Sequence, residues 1–192
     1  MASVHSQKNP TVVKLFFSLA LNKLIQLCNQ VLLVLIVTSL ISQDLISQVN
    51  MGRSNKSIED LHIEVLEKDS VGVTFIYDLT EQDDCNDSEL TYLGKVITKD
   101  QKEYKLLNSF WVRDGANTCR GISNLLVYNS DNVYVGRYHF NMPYELPDEL
   151  VDNELVYYAG NKFCENKKEV RISFENGLPQ TFYSCGGFLT FD

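Results

Sequence analysis

With 192 residues, 44% of them hydrophobic, the chain is long enough for one domain with its own core and short for two. A formal charge of -8 at pH 7 argues against a nucleic-acid or anionic-membrane surface, because both depend on clustered Lys and Arg to displace counterions. The acids are unevenly placed: none precedes Asp44, whereas Lys8, Lys14 and Lys23 do, so the rest of the chain is more acidic than the whole.

Two apolar runs, residues 12–21 and 31–42, open the sequence. The second has the length of the apolar region of a secretory leader and falls short of the roughly 20 residues that a spanning helix needs. Residues 1–42 are therefore read as a signal peptide or hydrophobic leader helix, with Ser42 a suitable small residue before the cut. The stretch upstream of the run is long for a leader. Either translation starts near Leu21, with Lys23 in the basic region, or residues 24–42 are retained as an anchor. A buried pair of helices is disfavoured because the second run has no polar face. Cys28 does not fit a lipidation site, since Leu27 before it is too large and the apolar run follows it. Residues 43–57, with their Ser, Asn, Gln and Gly, read as a flexible linker.

Residues 58–192 carry strand patterning. In 61–69 (LHIEVLEKD), Leu61, Ile63 and Val65 alternate with His62 and Glu64, which predicts a half-buried strand. Asp69, Ser70 and Gly72 turn the chain into a β-branched and aromatic strand at 73–77. An acidic loop, 81–89, surrounds Cys85. Its Asp84, Asn86 and Ser88 alternate as calcium ligands do, yet no Gly marks the sharp turn and no acid follows at the EF-hand distance. Two further strands are expected at 90–98 and 103–112, and Trp111 is expected in the core with its indole N–H on a nearby carbonyl.

The loop at 114–121 then places Cys119 at the base of a hairpin, 122–128 and 133–140, closed by NSDN. In its second strand Val133, Val135, Arg137 and His139 share one face, and Tyr134, Gly136, Tyr138 and Phe140 the other. Gly136 makes room for a ring or marks a bulge. Pro143 and Pro147 interrupt the sheet, and residues 146–150 (LPDEL), with Pro147 at the first position and acids in the first turn, are expected to start one helical turn. Strands follow at 154–158, 170–174, 180–185 and 188–191, with Cys164 in a polar loop and a bend at Gly186 and Gly187. The expected fold is all-β: one disulfide-stapled antiparallel β-sandwich or small β-barrel of about nine short strands.

Beyond the leader four cysteines remain: Cys85, Cys119, Cys164 and Cys185. An even number after an export signal predicts two disulfides, and pairing Cys85 with Cys119 and Cys164 with Cys185 clips two local units. No C-x-x-C occurs, and His62 and His139 are far from any Cys in sequence, so neither a zinc site nor a cofactor is expected. Asn55-Lys56-Ser57 and Asn86-Asp87-Ser88 are glycosylation acceptors in a host that modifies them.

No G-x-S-x-G, H-E-x-x-H, P-loop or dinucleotide fingerprint is present. Arg137 and His139, on one strand face, form an anion-binding patch with Arg120 if its strand lies alongside; otherwise they are the wet face of an amphipathic strand. The leading expectation is an exported, non-enzymatic β domain, secreted or periplasmic, that binds a protein or small-ligand partner or supports an envelope assembly. It would touch a membrane only through an uncleaved leader. A lipocalin-like carrier of a small apolar ligand is the alternative, although no Gly-x-Trp lies near the first strand. A hydrolase using His139 and an acidic neighbour is the second alternative.

Overall fold

Strand pairing dominates the computed structural model, which describes residues 48–80, 85–115, 118–158, 169–184 and 187–192. The expected leader, Cys164 and Cys185 lie outside the described residues. Six strands form one sheet in sequential order: β1 (Gln48–Arg53), β2 (Thr74–Asp78), β3 (Asn86–Ile97), β4 (Glu103–Asp114), β5 (Cys119–Asn129) and β6 (Tyr134–Phe140). A three-stranded sheet, β7 (Glu149–Val151), β8 (Glu154–Tyr158) and β9 (Glu169–Ser173), and the hairpin of β10 (Thr181–Ser184) and β11 (Gly187–Thr190) complete it.

The stretch expected as the first strand is instead a helix, α1, Ile58–Lys68. Ser57 caps it, its side chain accepting from the Asp60 N–H at 3.1 Å; Glu59 and Asp60 stand in the first turn and Lys68 in the last, as the helix dipole favours. Leu61, His62, Val65 and Leu66 are the buried residues, a helical spacing that the alternation of Ile63 concealed. Glu64 accepts from Lys56 at 2.7 Å and from the Tyr77 hydroxyl at 3.3 Å, and pairs with Lys68 at 2.9 Å. The two ammonium groups hold its carboxyl down at about 2.

This helix also changes the sheet. Residues 48–53, expected within a linker, form an edge strand that pairs with β2 in parallel, so the sheet is mixed and not purely antiparallel. Parallel neighbours need a long crossover, and α1 supplies it.

Two cores flank the six-stranded sheet. On one face Leu61, Val65 and Leu66 of α1 pack on Phe75, Tyr77, Leu90, Tyr92, Leu107, Leu126 and Tyr128. On the other, Leu106, Leu125, Val127, Tyr138 and Phe140 meet Leu155 and Tyr157 of β8, Phe174, Phe182 of β10 and Leu189 of β11. Residues 123–128 of β5 are all buried, with Leu125 and Val127 in one core and Leu126 and Tyr128 in the other. Tyr138 organises the second core: its ring lies 4.9 Å from that of Phe182 and 5.1 Å from that of Phe191, and its hydroxyl donates to the Pro179 carbonyl at 2.7 Å.

Gly136 meets the expectation placed on it. A Cβ there would lie 2.4 Å from both the Phe191 ring and the Asp192 carbonyl, so only glycine lets the end of the described chain cross β6, where Arg137 and Asp192 exchange two backbone hydrogen bonds. A bulge adjoins it: Val127 pairs with Gly136 but Tyr128 with Tyr134, leaving Val135 unmatched.

The Cys85–Cys119 disulfide is formed, with a Cα separation of 5.9 Å. Strands on either side of β4 lie about 9.5 Å apart, so the two segments converge just past the β4 terminus, where Asp114 pairs with Cys119.

Candidate functional site: a groove over β4 to β6

Helix α1 covers only part of its face of the sheet. Beyond it, side chains of β4, β5 and β6 floor an open groove of about 860 Å³ whose other wall is the start of α1. The pairing register fixes the order of its side chains. Trp111 stands opposite Ile122; the next rung is Ser109, Asn124 and His139; then come Leu126 and Arg137; Tyr128 and Tyr134 close the far end.

The middle rung is polar: Ser109 and Asn124, beside Asn108 and Ser123, interrupt the apolar stretches 106–112 and 122–128. Ser109 and Asn124 are 4% and 7% exposed, whereas His139 is open to solvent. The Asn124 Oδ1 lies 3.1 Å from His139 Nδ1 and, being an amide oxygen, accepts from it, which leaves Nε2 outside that bond. Among the described residues the side-chain partner of His139 is Asn124, and no carboxylate is hydrogen-bonded to it as a paired base requires.

His62 enters the groove from α1. Its Nδ1 is 2.9 Å from the Tyr128 hydroxyl, and its Nε2 is buried with no partner among the described residues. Burial lowers its pKa to about 4, against a smaller opposing influence of Glu59, so the ring is neutral at neutral pH.

Trp111 is a wall of this groove and not a core residue: it belongs to neither buried cluster and is partly exposed. Its indole N–H does find a carbonyl, Asn86 Oδ1 at 2.8 Å, and the Arg113 guanidinium lies 5.4 Å from its ring centre. Charges around the groove balance, Arg113 and Arg137 against Glu59 and Asp192. Among the described residues no ion pair engages either arginine side chain.

The residues expected from sequence to form a patch separate. Arg137 and His139 share the groove in adjacent rungs, but Arg120 pairs with Arg113 at the far end of β5 and does not line it. Sequence inspection missed Ser109, Asn124 and Tyr134. The first two were detectable as polar residues inside apolar strands. Tyr134 was assigned to the opposite face because a period of two was carried through the bulge, which turns it toward Tyr128, with ring centres 5.7 Å apart.

A second cavity of about 610 Å³ lies on the other face, near Thr74, Thr91, Asn108 and Pro147. There the Thr74 and Thr91 hydroxyls are 2.7 Å apart and Asn108 Nδ2 donates to the Pro147 carbonyl at 2.8 Å, while Asn108 Oδ1 is buried with no partner among the described residues. Among the described residues no cluster of three or more His, Cys, Asp or Glu is placed to hold a metal ion, and no helix is long and apolar enough to cross a membrane. Comparison with protein-family models, curated proteins and solved structures finds no match to this chain.

Proposed function

We propose that this protein is an exported, non-enzymatic binding domain that holds its partner in the groove over β4 to β6. The observation that carries it is a groove floor in which buried Ser109 and Asn124 and the unpartnered His62 Nε2 lie beneath an open, aromatic-ended cleft. Buried polar groups are ordinarily hydrogen-bonded, and those on a groove floor are met by water or by a ligand. Export is supported by the apolar leader pattern of residues 31–42 and by the Cys85–Cys119 bond, a type that persists in oxidising compartments. The same two features support a secreted or periplasmic location, with membrane contact only through an uncleaved leader.

The test is a chemically diverse fragment screen read by amide chemical shifts. Binding fragments are expected to move the signals of Ser109, Asn124, Arg137 and His139 together. Hits confined to the Thr74–Asn108 face, or none at all, overturn the groove as the binding site. Recovery of the chain from the cytoplasm with free thiols at Cys85 and Cys119 overturns export.

A further inference from the structure

We infer that the ligand of this groove is a neutral oligosaccharide chain, an inference that rests on the groove being the binding site. A sugar ring presents a flat C–H face and a rim of hydroxyls, each able to donate and accept. It therefore needs an aromatic surface beside side chains of mixed hydrogen-bonding character. Trp111 and Tyr134 supply the first, at opposite ends of the groove. The Ser109–Asn124–His139 rung supplies the second: a hydroxyl, an amide whose Nδ2 has no partner among the described residues, and an imidazole whose Nε2 lies outside the Asn124 bond.

Length favours a chain over a single sugar. The partners of Trp111 and Tyr134 on β5 are Ile122 and Tyr128, six residues apart, and so separated by roughly 20 Å along the strand.

Other ligand classes fit less well. An extended peptide satisfies its backbone at a sheet edge, but the groove floor is the face of β4 and β5, which are paired on both sides, and on the outer edge of β6 Arg137 already exchanges two backbone hydrogen bonds with Asp192. A strongly charged polymer gains little where Arg113 and Arg137 are balanced by Glu59 and Asp192. An apolar ligand would cover the Ser109 hydroxyl and the Asn124 Nδ2 without offering either a hydrogen-bond partner.

The experiment is an array of neutral, uronate-bearing and sialylated oligosaccharides probed with the full chain. The best glycan is then titrated while following the fluorescence of the sole Trp. Neutral chains of several sugars are expected to bind, to change Trp111 emission, and to lose about tenfold in affinity on Tyr134→Ala and on His139→Leu, both at exposed positions. Binding unchanged in both variants, retention of charged glycans alone, or displacement of groove-bound fragments by an acidic peptide and by no glycan overturns the inference. A blank array with fragments still in the groove also overturns it, and leaves the groove as the binding site. A blank array together with no fragment in the groove removes both.

Discussion

His62 ties one side chain to the pH response of the fold. Burial depresses its pKa from 6.5 to about 4, so the unfolded chain takes up a proton near 6.5 that the folded chain refuses until about 4. The associated stability is complete above the higher value, declines as pH falls between the two, and is gone below the lower. The total is on the order of 3 kcal/mol. Glu64, held at about 2 by Lys56 and Lys68 against an ordinary 4.5, loses its contribution between those two values as pH falls, so it enters only at the acid end of the His62 window. Urea midpoints measured from pH 7 down to pH 4 are expected to fall for the natural chain and to fall much less for His62→Phe. An identical decline in the variant would assign the slope to other groups. At this scale the sequence was legible in part: Arg137 and His139 were picked out by alternation and do share a groove, and Trp111 does bond a carbonyl. That Trp111 stands at the groove wall was not legible, because a lone Trp in a β domain carries no mark of how far α1 extends over it.

Among the elements, α1 depends on its first turn. Ser57→Ala removes the acceptor for the Asp60 N–H, and the loss expected in thermal or denaturant unfolding is about 1 kcal/mol. A loss near zero would show that packing of Leu61, Val65 and Leu66 alone holds the helix. The element was misread because Leu61, Ile63 and Val65 satisfy a period of two while Leu61, Val65 and Leu66 satisfy a helical one. The serine followed three residues later by an acid was the signal that should have decided between them. On β6, Gly136→Val is expected to detach Phe191 and Asp192, since its side chain would occupy the space of the Phe191 ring. Loss of hydrogen-exchange protection at the Arg137 amide, whose acceptor is the Asp192 carbonyl, reads this directly, and retained protection would refute it.

For the molecule as a whole, β content and the Cys85–Cys119 bond were legible because turn residues and loop cysteines are local signals. The parallel β1–β2 pairing and the division of apolar residues between two faces were not, since both depend on long-range contacts with α1 and β8 to β11. The disulfide closes a segment 34 residues long in sequence separation. Replacing both cysteines by serine is expected to cost about 3 to 4 kcal/mol by freeing the unfolded chain. An unchanged unfolding midpoint would mean that the ends of β3 and β5 are held by the ladder alone.

That cross-link has a mechanical counterpart at the groove. Trp111 and Arg113 lie between Cys85 and Cys119, inside a covalent ring made of β3, β4 and the first residue of β5. The Trp111 side of the groove is therefore tethered covalently, whereas α1 on the other side is held by packing, its cap and the Lys56–Glu64–Lys68 pairs.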